Sequence, residues 1–148
     1  MQDNLFHIDA IDRKIIQLLQ INGRSPASRI AKEIKMSVPA VSERIKKLID
    51  FGVITGFEAK LDFQKIGLDV QAIITIISES SEFYASVVKN TNNCKEIIQC
   101  YSTTGNGSHL LFAIVENSYA LEKLLRKIQS WPGVMRTETQ LVLSSYKG

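Results

Sequence analysis

In this 148-residue sequence, the segment whose residue types most clearly suit binding consists of small side chains followed by cations. Small residues at the start of a helix let its backbone approach the edges of nucleic-acid bases, where a methyl group can meet that of thymine. Cations further along suit phosphate oxygens, which give salt-dependent affinity without sequence choice. The predicted contact residues are Ser37, Pro39, Ala40, Ser42, Glu43, Arg44, Lys46 and Lys47, of which Arg44, Lys46 and Lys47 are predicted to meet phosphates.

A second segment whose residue types suit binding is Thr104-Gly105-Asn106-Gly107-Ser108. Its two glycines can expose backbone N–H groups in a turn, which is a natural site for a carboxylate. The hydroxyl groups of its threonine and serine suit the polar groups of a small molecule. The pair Asn106-Gly107 is also a strong hairpin signal, so a plain turn remains the alternative interpretation.

Enzymatic chemistry finds little support in the sequence. No HExxH, GxSxG, Walker-type or Rossmann glycine pattern is present. His7 lies before the first predicted helix, and His109 stands alone at the start of a strand, where we expect it at the surface or in an interface. Cys94 and Cys100 have a spacing that matches no zinc or redox motif, which predicts reduced core thiols. We therefore predict no catalytic residue, no metal and no cofactor.

The elements that must position the first segment are three helices. Apolar residues recur at helical spacing after Asp9 and again around Ile30, and Ser37 is placed to cap a third helix that ends at Gly52. Residues 53–62 are strand-like and are predicted to form a wing. Three helices with a tight break before the third, followed by a strand, are typical of a winged helix-turn-helix, whose third helix enters the major groove. An ordinary solvated face would explain the lysines of an isolated helix, but not this whole combination.

The rest of the chain alternates between strands and helices. The predicted strands cover residues 70–77, 96–104, 110–115 and 134–143, with one helix after the first strand and another after the third. The order βαββαβ predicts a ferredoxin-like sandwich, an antiparallel sheet with both helices on one face, so the fold class is α+β. The first strand is apolar on both faces, and burial in a dimer is the simplest account of the second face.

Charge and hydropathy agree with this division. Residues 1–60 hold 10 Lys and Arg against 7 Asp and Glu, whereas residues 61–148 hold 8 of each, so all the excess positive charge lies in the first part. No apolar run reaches the roughly 18 residues of a membrane span. The first residues lack the pattern of a secretory signal, which predicts a cytoplasmic protein. The expected domains are 1–53 for the helix-turn-helix, 54–68 for the wing and hinge, and 69–148 for the sandwich.

Five segments carry a resemblance to a known family: IDAIDRKIIQLLQINGRS, RIAKEIKMSVPAVSERIKKL, FGVITGFEAKLD, YSTTGNGSHLLFAIV and VMRTETQLVL. In this order and spacing, which cover nearly the whole chain, they resemble the leucine-responsive/asparagine-responsive (Lrp/AsnC) transcription regulators, more closely the AsnC branch. The resemblance implies a ferredoxin-like effector domain, dimers that pair through their sheets, assembly into octamers or similar rings, and DNA wrapping or bending.

The resemblance also implies an effector, an amino acid or related metabolite, bound between dimers. The residues that it assigns to this site are Tyr101, Thr104, Gly105, Asn106, Gly107, Ser108, Thr137, Glu138 and Thr139. Many members have an acidic residue where Ser108 stands, which suits a ligand ammonium group. Ser108 and the segments Thr103-Thr104-Gly105 and Thr137-Glu138-Thr139 resemble the AsnC branch. This resemblance favours a polar amino acid as the effector.

The sequence as a whole predicts a sequence-specific DNA-binding transcription regulator modulated by a small molecule, with double-stranded DNA and further copies of the chain as partners. Two other functions remain open. One is a nucleoid-architectural protein with little sequence preference, for which phosphate contacts and oligomerisation suffice. The other is a small-molecule-binding module that regulates an enzyme, with the helices as a partner-binding surface.

Overall fold

Side-chain caps begin two of the three helices of the N-terminal part. In the computed structural model, which describes residues 6–147, the helices are α1 (Ala10–Ile21), α2 (Ala27–Ile34) and α3 (Val38–Asp50). Asp9 and Asp12 form a capping box at the start of α1. The hydroxyl of Ser37 accepts the backbone N–H of Ala40 at 3.3 Å and caps α3. The predicted helix-turn-helix is confirmed.

One apolar cluster holds the three helices together. Its fully buried members are Ile15, Ile30, Ala31, Val41 and Leu48, which recur at helical spacing in the sequence. Each helix contributes at least one of these residues, so detaching any helix would expose the apolar side chains of the other two helices to water. The position of α3, and with it the predicted contact residues, depends on this core.

The prediction that residues 53–62 form a strand is wrong. The structure has no strand in residues 53–62. The backbone N–H groups of Val53 and Ile54 both donate to the carbonyl oxygen of Leu48, at 2.9 and 3.0 Å, and thereby complete the end of α3. A strand needs a neighbouring strand for its remaining backbone groups, and the described part of residues 1–60 contains none. Phe57 and Leu61 consequently remain more than half exposed.

The C-terminal part has the predicted βαββαβ order and the predicted antiparallel sheet. Its elements are β1 (Val70–Ser78), α4 (Tyr84–Asn92), β2 (Ile97–Ser102), β3 (His109–Val115), α5 (Ser118–Gln129) and β4 (Val134–Leu141). The strand order is β2-β3-β1-β4, with every neighbouring pair antiparallel. The chain divides into two compact units, residues 1–60 and 61–148, and the division lies within the segment predicted as a connection.

The two faces of the sheet differ in burial. Alternate residues of β1, Ala72, Ile74 and Ile76, are buried in one core with Val87 of α4 and Ile128 of α5. The residues between them point to the other side, which we call the open face. The open face comprises Gln71, Ile73, Thr75 and Ile77 of β1, Leu110, Phe112 and Ile114 of β3, Gln99 and Tyr101 of β2, and Arg136, Glu138 and Gln140 of β4.

No helix between residues 6 and 147 has the length and apolar character needed to cross a bilayer.

Candidate DNA interface and effector loop

The first turns of α3 present a continuous small-residue surface. Ser37, Pro39 and Ser42 are exposed, and Ala40 is half-buried beside them. Sequence reasoning missed Val38, whose side chain is 44% exposed although it is apolar. The available signal was that Val38 lies three residues before Val41, outside the positions 41, 45 and 48 that form the buried stripe of α3. The surface therefore offers methyl and hydroxyl groups with no bulky side chain in front of them.

Arg44 differs from the other predicted phosphate contacts. Its Nη1 donates to Oδ2 of Asp9 at 2.7 Å and to Oδ1 of Asp12 at 2.9 Å, and its side chain is only 28% exposed. The guanidinium therefore holds α3 against the capped start of α1. This ion-pair network neutralises the charge that the sequence interpretation assigned to a phosphate, so we leave Arg44 out of the DNA-contacting set.

The same network shifts two pKa values. The backbone N–H of Asp12, which donates to Asp9 at 2.8 Å, and the guanidinium of Arg44 lower the pKa of Asp9 from 3.8 to about 2. The two aspartates in turn raise the pKa of Arg44. Since the pKa of Asp9 is lower in the folded chain, the stabilisation is complete above about pH 4 and is lost as the pH falls from there towards 2.

We expect Arg44→Ala to lower the stability of the N-terminal unit by about 2 kcal/mol, because the nearly buried carboxylate of Asp12 loses its charged partner. The stability of this variant should also depend less on pH between about 4 and 2. Thermal unfolding followed by circular dichroism measures both effects. Lys46→Ala is the control, since Lys46 has no carboxylate within 4 Å among residues 6–147. Equal stability of the two variants would contradict a structural role for Arg44.

The remaining charged residues of α3 lie at the surface. Lys47 pairs with Glu43 at 3.2 Å, and both side chains are more than half exposed. Such an i,i+4 pair contributes only about 0.3–0.5 kcal/mol, so it leaves the lysine able to exchange its partner for a phosphate. Lys46 is exposed next to it. The two lysines are therefore the cations of α3 that a nucleic-acid backbone can reach.

The predicted effector loop connects β2 to β3 and lies against β1. Thr104, Gly105 and Asn106 are exposed, and Gly105 has a φ of +100°, which favours glycine. A Cβ atom on Gly107 would lie 2.3 Å from Cγ2 of Thr75 and 3.2 Å from the carbonyl oxygen of Ile76. The second glycine is thus required by a close approach of the loop to β1.

Ser108 is buried and already occupied. Its Oγ lies 2.7 Å from Oγ of Ser78, 2.8 Å from Nδ1 of His109 and 3.3 Å from the carbonyl oxygen of Ile76. A hydroxyl has a single proton to donate, and each possible acceptor or donor within reach of this one belongs to the protein. The side chain that the resemblance assigns to the effector instead ties the loop to the end of β1.

The sequence interpretation expected His109 at the surface or in an interface, but within this chain the residue is buried. It is 2% exposed, and the ring of Tyr84 packs edge-on against it with the centroids 4.9 Å apart. The reason is the alternation of β3, in which His109 points to the same side as the buried residues Leu111 and Ala113. Desolvation by this burial lowers the pKa of His109.

The strand register divides the other predicted effector residues between the two faces. Tyr101, Leu110, Thr75 and Glu138 form one row across the open face, and Gly107 adjoins the same threonine. Thr137 lies in the next row, on the helix side, where its Oγ1 accepts the side-chain amide of Gln129 at 3.0 Å. Thr139 is exposed one step further along the helix side. The row places Gly107 near Glu138 through Thr75, whereas Tyr101 lies on the opposite outer strand, about 14 Å away at the usual strand spacing. Thr137 and Thr139 lie on the other face.

Comparison with known proteins gives consistent matches over both units. Residues 8–49 match the AsnC-type helix-turn-helix domain, and residues 71–148 match the Lrp/AsnC ligand binding domain. The chain is 36% identical to the HTH-type transcriptional regulator FL11 of Pyrococcus abyssi over 140 residues, which cover 95% of this chain and 92% of that one.

Two solved structures extend the comparison. E. coli AsnC is 30% identical with a TM-score of 0.87, and the match covers 97% of both chains. A feast or famine regulatory protein from M. tuberculosis, complexed with L-methionine, is 28% identical with a TM-score of 0.90, covering 96% of both chains. The named relatives are transcription regulators and not enzymes.

Proposed function

Because the chain belongs to the Lrp/AsnC family of transcription regulators, we propose that it binds specific DNA sequences and that an amino acid modulates this binding or the assembly of the protein. The observation that carries the proposal is the small-residue surface at the start of α3, with Lys46 and Lys47 further along the same helix. We further propose the cytoplasm, where chromosomal DNA is accessible, as the place of action.

The two ends of α3 have different proposed roles. Ser37, Val38, Pro39, Ala40 and Ser42 are proposed to meet base edges, because only small groups allow the helix start to enter the major groove closely. Lys46 and Lys47 are proposed to meet phosphates, which set the register of the helix on the duplex. Glu43 acts through its ion pair with Lys47, which it orients until a phosphate replaces it.

We expect Lys46→Ala and Lys47→Ala each to weaken binding to all DNA sequences by a similar factor and to reduce the slope of log K against log salt by about 1. Lys123→Ala, which removes an exposed charge from α5, is the matched control and should leave the slope unchanged. Titration of the full chain with duplex DNA at several salt concentrations measures the slope. Unchanged slopes in both variants would remove these lysines from the interface.

A shift assay separates a specific regulator from an architectural protein. The DNA upstream of the protein's own coding sequence is compared with random DNA at the same salt concentration. We expect the upstream DNA to be bound about a thousandfold more tightly, as for specific regulators in general. Equal affinity for both would indicate an architectural protein, and no binding to either would favour a module that regulates an enzyme.

We propose that a second copy of the chain covers the apolar centre of the open face, which leaves Glu138 on the outer strand β4 accessible. Ile73, Ile77, Leu110 and Phe112 make its centre apolar, and all four are only partly buried within one chain. Covering these side chains removes apolar surface from water, which is the main driving force of association. Dimers formed in this way are then proposed to assemble into a higher oligomer, with an octamer as the expected form.

The proposed amino-acid site lies where the effector loop meets the open face. Backbone N–H groups around Gly105 and Gly107 suit the carboxylate of the ligand. Glu138, exposed on the open face and paired with Arg136 at 3.1 Å, supplies the negative charge for the ammonium group. Asn106 and Thr104 are exposed in the loop and suit a polar side chain, whereas Tyr101 lies on the opposite outer strand and is left out of the proposed site. The L-methionine complex of the M. tuberculosis relative supports an amino acid as the class of ligand.

We expect Glu138→Gln to weaken the response to the active amino acid about tenfold or more, since a hydrogen bond between charged groups is replaced by a neutral one. The shift assay is repeated with a panel of amino acids to identify the active one and then with the variant. Glu122→Gln is the matched control, because Glu122 forms a similar exposed pair, with Arg126 at 2.7 Å. A full response in Glu138→Gln would place the ammonium site elsewhere.

A further inference from the structure

A groove separate from the effector loop runs between α4 and the end of β2. It has a volume of about 680 Å³, and eight residues line it, all within the C-terminal unit. Three of these, Tyr84, Ala85 and Val88, lie on α4 and form an apolar wall. Lys89, Asn92 and Asn93 add one cation and two amides at the other end of the helix, and none of the eight is acidic.

The imidazole of His109 lines this groove although the residue is 98% buried. Its Nδ1 faces Ser108 at 2.8 Å inside the unit, so Nε2, on the other side of the ring, is the nitrogen available to the groove. Within residues 6–147 the structure provides no hydrogen-bond partner for Nε2. A polar atom in this position stabilises a ligand group that can hydrogen-bond to it.

The contacts of Ser108 indicate which kind of group that is. A hydroxyl has a single proton, and the distance from Ser108 Oγ to Nδ1, 2.8 Å, is shorter than the 3.3 Å to the carbonyl oxygen of Ile76. The shortest contact of Ser108 Oγ is to Ser78 Oγ at 2.7 Å, and the structure gives Ser78 Oγ no other hydrogen-bond partner among residues 6–147, so Ser78 can donate its proton to Ser108. The carbonyl oxygen of Ile76 already accepts the backbone N–H of Ser108 at 2.9 Å. The proton of Ser108 is then available to Nδ1, and a neutral imidazole that accepts at Nδ1 carries its proton on Nε2. His109 then presents an N–H donor to the groove, which calls for an acceptor such as a carboxylate oxygen.

We propose that this groove binds a short aliphatic 2-oxo acid, with the carboxylate at His109 and Lys89 and the hydrocarbon chain along Tyr84 and Val88. The cation and the amides complement negative charge and carbonyl oxygen, and Val88 is 42% exposed and free to pack against an alkyl chain. The lining contains no carboxylate that would compensate an ammonium group, so the amino acid with the same side chain is a poor fit. The site is distinct from the proposed amino-acid site at Glu138.

The two histidines of the chain provide a direct probe. We expect His7 and His109 to give separate imidazole signals in a ¹H–¹³C spectrum of the full-length protein, and the spectrum of His7→Asn would assign them. We expect 4-methyl-2-oxopentanoate to shift the signal of His109 saturably, without shifting that of His7, in the absence of DNA. The dissociation constant of leucine for this groove should be at least about tenfold higher than that of 4-methyl-2-oxopentanoate. No shift of His109, equal shifts of both histidines, or equal binding of leucine would each overturn the proposal.

Two variants test the contacts by calorimetry with the same ligand. His109→Leu fills the same space without a donor and should abolish binding, whereas Lys89→Ala should weaken it several-fold. Lys123→Ala, an exposed cation outside the groove, is the control and should bind as the unaltered chain does. If His109→Leu fails to fold, the variant Lys89→Ala provides the test, because Lys89 is exposed and its substitution should not affect folding. Unchanged affinity in Lys89→Ala would overturn the proposed orientation of the ligand.

Discussion

Gly133→Ala is expected to lower the free energy of unfolding of the C-terminal unit by about 3 kcal/mol. Gly133 has a φ of +80°, in the left-handed region that alanine adopts only at a cost of about 1–2 kcal/mol. A Cβ atom there would also lie 2.0 Å from Cγ and 2.2 Å from Cβ of Phe83. The aromatic ring or the turn must therefore move.

Movement of this turn has a further consequence. The carbonyl oxygen of Gly133 accepts the backbone N–H of Glu79 at 2.9 Å, just after the end of β1. Displacing Gly133 disturbs this bond and the bulge at which β1 and β4 change register, between Ile77 and Ser78. The steric cost thus adds to the conformational one.

Gly67→Ala is the matched control for Gly133→Ala. Gly67 lies in the same unit with a φ of +82°, but a Cβ atom there would meet nothing within 4 Å. It should therefore cost only the conformational part, about 1–2 kcal/mol. Denaturant unfolding followed by the fluorescence of Trp131, the single tryptophan, which is buried in this unit, measures both variants. Equal losses would mean that Phe83 yields without cost.

Phe112→Asp is expected to raise the dissociation constant of the proposed dimer by a factor on the order of 10³, about 4 kcal/mol. Phe112 lies opposite Ile73 in the strand register, and the ring of Tyr101 packs edge-on against it with the centroids 6.2 Å apart. An aspartate at this position would have to give up its hydration at the centre of an apolar interface. Sedimentation velocity over a range of protein concentrations measures the dissociation constant.

Tyr119→Asp is the control for Phe112→Asp. Tyr119 is an aromatic residue with 69% exposure on α5, which packs on the other side of the sheet. Its substitution should leave the dimer intact, and the fluorescence of Trp131 verifies that both variants fold. A Phe112→Asp chain that remains dimeric at the same concentrations would show that the open face is not the interface.

Local chemistry explains why most elements were predictable. Asp9 and Ser37 indicate the N-termini of helices because each side chain accepts a hydrogen bond from the backbone N–H three residues later. The buried positions Ile15 and Leu48 follow helical periodicity, and the order of strands and helices in residues 70–141 leaves few topologies open. Each of these signals acts over a short stretch of chain, so it is visible in the sequence.

The misplaced residues depend on contacts between distant parts of the chain. Arg44 pairs with acids 32 and 35 positions away, and Ser108 bonds to residues of β1 30 and 32 positions away. Residues 53–62 have strand-like composition, but composition supplies no partner strand. His109 could have been placed by extending the alternation from Leu111 backwards, since both point to the helix side.

By itself, the sequence determined the helix-turn-helix, the βαββαβ order and the exposed small residues at the start of α3, because caps, apolar periodicity and turn residues act locally. Only the tertiary structure decided which polar groups remain available to a ligand. It engages Arg44 and Ser108 within the protein, leaves Lys46 and Glu138 at the surface, and turns His109 towards a groove. The reason is that a hydrogen bond or ion pair satisfies a polar group only when folding brings its partner within reach.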